Sequence, residues 1–158
     1  AALAARWPAE ADTVRQRAAD YDARLASLDA QIRQRLDAIP RARRRVVAAH
    51  DAFGYFGDAY GMDFMAARGW NPHAEPSAAA IARLVRQVRD QQAHALFLEN
   101  IADPRLVERI ARESGARVGG TLYADALSAP GGPADTYLRL MAHNARTLAD
   151  ALGPETPR

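Results

Sequence analysis

The chain has 158 residues, 49% of them hydrophobic and 25% charged, with a formal net charge of +2. That length and balance suit one soluble globular domain and are short for two, and no apolar run approaches the roughly 18 residues that span a bilayer. With no cysteine, disulfides, iron–sulfur clusters, thiolate zinc sites and thiol nucleophiles are excluded within the chain.

The first segment, AALAAR, has the composition of a helix end. Pro8 then suits a first helical turn, and Glu10 and Asp12 place negative charge near the positive end of a helix dipole. From Val14 the apolar residues Ala18, Tyr21, Leu25, Leu28, Ile32, Leu36 and Ile39 recur three or four apart, the period of an amphipathic helix. Pro40 ends it. This divides the chain into residues 1–40, a helix end plus a long charged helix, and 41–158. The dense basic run RARRR, Arg41 to Arg45, has no aromatic residues interleaved. It reads as a solvated connector rather than a nucleic-acid surface.

Beyond Pro40 strands and helices alternate. VVAA (46–49) reads as a strand, and Asp51 to Tyr60 as a helix carrying Phe53, Phe56 and Tyr60 on one face, with Asp51 as its N-cap and Gly61 as its stop. MDFMAA (62–67) is a second strand, and RGWNPHAEPS a loop. Residues 77–93 form a helix capped by Ser77, with Ile81, Leu84, Val85 and Val88 on its apolar face. ALFL (95–98) is a third strand. Asp103 caps a helix that Pro104 opens and Gly115 ends; RVGGTLY (117–123) is the fourth strand. Leu138, Met141, Ala145, Leu148 and Leu152 mark the apolar face of a last helix. Such alternation predicts an α/β fold: a long amphipathic helix, then a four-stranded, mostly parallel sheet with helices on both faces.

In such sheets ligands bind at the carboxyl ends of the strands. Three ends carry polar groups: His50-Asp51, Glu99-Asn100 and Tyr123-Ala124-Asp125. Imidazole with carboxylates is a donor set for Zn2+ or Mn2+. Each residue also has a structural reading: His50 as a satisfied strand-end residue, Asp51 as a cap, Glu99 as the partner of an Arg. His94, before a strand, is expected to face solvent, His143 lies off the apolar face of the last helix, and His73 sits in a polar loop. The chain has no HExxH, GxSxG or Walker A motif, and the glycine pairs in GGTLYAD and APGGPAD lack the GxGxxG form.

Four stretches occur in an order and spacing that mark a known group: HDAFGYFGDAYG, NPHAEPSAAAIARL, ALFLENIADPRLVERIARESGARVGG and LYADALSAPGGPADTYLRLMAHN. Over nearly its whole length the chain resembles the zinc- and manganese-binding receptor proteins of bacterial ABC transporters. The resemblance implies two α/β lobes joined by one long helix, with metal held between them by four side chains. Two histidines come from the first lobe; the second supplies the residues at His50 and Asp125. Histidine at the first of these positions is typical of zinc receptors and glutamate of manganese receptors. Zn2+ is therefore implied first, with Mn2+ and Fe2+ as alternatives.

The chain is similar to the second lobe only, so the other two ligands are expected from a lobe upstream of Ala1. The resemblance does not make ligands of Glu99 or Asp51: Glu99 is read as orienting a ligand or pairing with an arginine, Glu75 as serving similarly at the lobe surface, and Asp51 as a cap beside the site. The implied function is capture of metal and delivery to a permease, with no catalysis. The implied location is periplasmic, or extracellular and anchored through an upstream lipidated segment. Two other functions fit the same lobe: a surface adhesin, and a zinc hydrolase with Glu99 as general base.

Overall fold

The structure, a computed structural model, describes residues 2–66, 77–100 and 104–154. A short helix α1 (Ala2–Arg6) and a 3-10 turn at Pro8–Glu10 lead into α2 (Ala11–Asp37), the long helix that the apolar spacing predicts. At 1.5 Å per residue it runs about 40 Å. Only its last turns are buried, through Ile32 and Leu36; most of the helix is exposed.

The chain then builds β1 (Arg45–Ala48), α3 (Gly54–Tyr60), β2 (Asp63–Ala66), α4 (Ala78–Asp90), β3 (Ala95–Glu99), α5 (Pro104–Ser114), β4 (Arg117–Leu122) and α6 (Tyr137–Leu152). The four strands form one parallel sheet in the order β2-β1-β3-β4. Alternate side chains of each strand face opposite layers. Val46, Ala48, Ala95 and Phe97 pack against Ile32, Leu36, Leu148 and Leu152 of α2 and α6. Val47 and Leu96 point the other way, onto Leu84, Val85 and Val88 of α4 and Val107 and Ile110 of α5.

The arginine run differs from its expected role as a solvated connector. Arg41–Arg43 make a 3-10 turn, and the guanidiniums that follow tie down main-chain carbonyls. Arg43 donates to Gly153 O (2.9 Å), Arg44 to Ile39 O (3.0 Å) and Asp37 O (3.2 Å), and Arg45 pairs with Asp63 (2.7 Å). These bonds close the end of α2 over the amino end of β1 and join it to the end of α6.

Asp51 does not cap α3. The amide of Ala52 bonds to His50 O (3.1 Å) in a tight turn, so the helix starts later, with Phe53 at the N-cap and no side-chain cap bond. The buried ring of Phe53, stacked on Phe64 with centroids 4.9 Å apart, fixes the entry to the helix instead. Gly61 ends α3 in the left-handed region, at φ 66°, as expected. Ser77 caps α4 through a bond from Ala80 N (3.2 Å), and Thr136 caps α6 through one from Arg139 N (3.3 Å). Asp103, His73 and Glu75 lie outside the described residues.

β4 contains a register shift. Leu96 pairs with Val118 but Phe97 pairs with Gly120, so Gly119 is the extra residue of a bulge. A Cβ on Gly119 would sit 2.5 Å from the Phe97 ring, which is fully buried. The bulge is therefore where the chain yields to its largest core side chain.

Candidate metal centre

In the order β2-β1-β3-β4, β1 connects through α3 to one side and β3 through α5 to the other. The switch point lies between β1 and β3, where the strand ends diverge and leave a crevice. His50 follows β1, Glu99 ends β3, and Asp125 follows β4 on its far side. The residues that the sequence places at three strand ends are thus delivered to one rim.

The three side chains touch. His50 Nε2 lies 3.0 Å from Asp125 Oδ2. His50 Nδ1 abuts Glu99 Oε2, and the His50 main-chain N–H donates to Glu99 Oε1 at 3.0 Å. Glu99 is 3% exposed. Its expected alternative, pairing with an arginine, is not what the fold provides: the carboxylate faces His50 through both oxygens. A buried carboxylate needs compensating donors; the His50 amide supplies one to Oε1, while Oε2 lies against the imidazole without a hydrogen bond. The Asp125 side chain is 62% exposed, so the row runs from a buried carboxylate through a half-buried imidazole to a solvent-facing carboxylate. Ionised carboxylates only accept hydrogen bonds, so each can hold one ring N–H of His50.

Among the described residues, no group of three or more His, Cys, Asp or Glu side chains is placed to hold a metal ion. Glu99 is on the far side of the imidazole from Asp125, which leaves His50 Nε2 and the Asp125 carboxylate as the outward-facing donors. Asp51 is exposed. Of the other histidines, His94 is exposed at the opposite rim. His143 is half-buried, its Nε2 3.0 Å from Thr121 O and its ring edge-on to Tyr123.

Two amide side chains also reach this rim. Asn100 follows Glu99, and its Nδ2 donates to Ala126 O (3.2 Å). Asn144, on α6, exchanges two hydrogen bonds with the main chain of Tyr123. Asn100 is visible in the sequence as a strand-end polar residue; Asn144 is missed. The signal was present: Asn144 lies four residues from both Leu140 and Leu148, a polar group within an apolar helical stripe.

Comparison with known proteins adds an independent line. The sequence pattern of a family described as "Zinc-uptake complex component A periplasmic" matches residues 1–151. The zinc-binding protein TroA of Treponema pallidum is 34% identical over 142 residues, covering 87% of this chain and 46% of the relative. The manganese-binding lipoprotein MntA of Halalkalibacterium halodurans is 31% identical over 150 residues, covering 95% and 50%. The iron ABC transporter substrate-binding lipoprotein MtsA of Streptococcus pyogenes is 27% identical over 150 residues, covering 95% and 48%. The solved structure of the Treponema pallidum periplasmic zinc-binding protein TroA superposes with a TM-score of 0.84 at 30% identity, covering 97% of this chain and 57% of that one. The chain thus spans about half the length of the curated relatives it matches.

Proposed function

The chain belongs to the ZnuA family of metal-binding substrate-binding proteins of ABC transporters, whose members are receptors and not enzymes, and from that premise we propose that it captures a divalent metal ion, Zn2+ first, for delivery to a membrane permease. The ligands this chain contributes are His50, through Nε2, and Asp125, through its carboxylate. The observation that carries this is the contact between the two, 3.0 Å apart at the crevice of the sheet, with the other ring nitrogen held by buried Glu99. A carboxylate on the far nitrogen fixes the ring orientation and raises the basicity of the ligating nitrogen, an arrangement common behind metal-bound histidines. Metal would take the place of the direct contact between Nε2 and Oδ2.

One imidazole and one carboxylate suit Zn2+, Mn2+ and Fe2+, and the names of the relatives span all three metals. The preference for Zn2+ rests on the resemblance, in which histidine at the position of His50 is typical of zinc receptors. Two ligands do not complete a tetrahedral site, and the resemblance to two-lobed receptors points to a second lobe as the source of two more. A closed set of four protein ligands leaves no metal-bound water to activate, which suits a carrier. Dividing the ligands between lobes also links occupancy to lobe arrangement, and a permease can recognise the loaded form through that population shift. The compartment is that of the relatives, periplasmic or lipid-anchored outside the cell. Among the described residues no helix is long and apolar enough to cross a membrane.

The test is an NMR titration of the chain with Zn2+. The expected result is perturbation of His50, Glu99 and the Tyr123–Ala126 amides, abolished in His50→Ala. The same perturbation in His50→Ala would remove His50 from the site.

A further inference from the structure

We propose that Asn144 and Asn100 are positioning residues for Asp125, fixing the main chain on either side of it. The inference rests on the reading that Asp125 is a metal ligand. Among the described residues the Asp125 carboxylate has one partner, His50, and it follows β4 on an irregular segment. Nothing on the side chain itself, then, fixes where it points when metal takes the place of that contact. The main chain around it is held instead.

Upstream, Asn144 Oδ1 accepts from Tyr123 N–H at 2.9 Å and Asn144 Nδ2 donates to Tyr123 O at 2.7 Å. The two bonds close a ring, as a neighbouring strand would, beyond the last residue of β4. Asn144 is 2% exposed, so α6 has buried a polar group to make them. A buried amide that is fully paired stabilises one geometry; a half-paired one is costly. A carboxamide offers a donor and an acceptor side by side, which neither an ionised Asp nor a Leu at 144 would do. Downstream, Asn100 Nδ2 donates to Ala126 O at 3.2 Å, while Asn100 N–H donates to Leu122 O at 3.2 Å and extends the β3–β4 ladder by one bond. Leu122, Tyr123 and Ala126 are therefore all tied, and Asp125 lies between the ties. Asn100 also directly follows Glu99, so the residue that orients His50 and the one that restrains Asp125 share the end of β3.

The experiment titrates the intact chain with Zn2+ alone, followed by NMR, in wild type, Asn144→Ala, Asn100→Ala and Asp125→Ala, and in each asparagine variant combined with Asp125→Ala. Each asparagine variant should weaken Zn2+ binding about 10-fold, the lower end for groups that support a ligand from behind, and have no further effect once Asp125 is gone. A purely structural role would give the same loss with and without Asp125, and that result overturns the proposal. So does wild-type affinity in both asparagine variants while Asp125→Ala binds weakly. Wild-type affinity in Asp125→Ala would instead overturn the ligand reading beneath it. Should Asn144→Ala not fold, Asn100→Ala, which removes a bond at a less buried position, carries the same comparison.

Discussion

His50 has two ring nitrogens and two carboxylate neighbours, and its environments on the two sides differ. Glu99 is buried and tied also to the His50 amide, whereas Asp125 is exposed. On the proposed reading the buried side sets orientation and the exposed side meets the metal. Glu99→Gln keeps the size of the side chain and an acceptor for the His50 amide, but removes the charge behind Nδ1. Zn2+ affinity should fall about 10-fold or more while the thermal melt stays cooperative, checked by metal titration and by a melt on the same sample. Unchanged affinity would reduce Glu99 to a residue that merely holds the loop. His50, Glu99 and Asp125 were legible in the sequence because each sits at the end of a strand, and strand ends can be read from local periodicity. Which of two neighbouring polar residues turns inward was not legible. Asp51 looks as suitable as a cap as any aspartate before a helix, yet the turn at His50–Ala52 shifts the helix start to Gly54 and leaves Asp51 exposed.

α3 has seven residues, too few to be stable alone, and its connection to His50 makes its anchoring matter for the site. α2 supplies that anchor. Tyr60 OH donates to Asp29 Oδ1 (3.0 Å), Arg33 pairs with Asp29 (2.9 Å) and donates to Ala59 O (2.8 Å), and its guanidinium lies 5.2 Å from the centroid of the Tyr60 ring. Burial, with the hydrogen bond to ionised Asp29 second, pushes the Tyr60 phenol up to about 12. The Arg33 hydrogen bond, followed by that of Tyr60, holds Asp29 below the usual carboxylate range. Unfolded Tyr60 loses its proton near 10. From there to about 12 the folded chain binds more protons than the unfolded one, so stability must fall as pH rises through that window. At the acid end the sign reverses: Asp29 contributes stability above its unfolded value, and this is lost as pH falls through the lower folded value. Tyr60→Phe should flatten the alkaline decline in melting temperature between pH 10 and 12; an equally steep decline in the variant would place its origin elsewhere. The existence of α2 and α3 was legible from apolar spacing, but this clamp was not, because it joins residues 31 positions apart. The bulge at Gly119 was hidden for the same reason: a paired glycine in a strand pattern does not reveal that the Phe97 ring requires the space.

At the scale of the whole molecule, order and handedness do what no single residue can. Because β1 and β3 are neighbours that connect outward in opposite directions, their ends open a crevice, and the two outward donors beside it belong to residues 75 positions apart. The same geometry limits what this chain can do alone. A complete structural zinc site contributes roughly 10–16 kcal/mol near neutral pH. Half of that set of ligands gives about 5–8 kcal/mol, which corresponds to a dissociation constant between roughly 0.2 mM and 1 μM. The chain by itself should therefore bind Zn2+ in that range with one metal per chain, and titration calorimetry measures this directly. A nanomolar one-to-one site on a monomer would mean that the chain completes the coordination from its own residues, and the division of ligands between two lobes would be wrong. With all four ligands in place binding should be tight, and His50→Ala should weaken it by about 70- to 900-fold, since one ligand of four accounts for roughly 2.5–4 kcal/mol on the same scale.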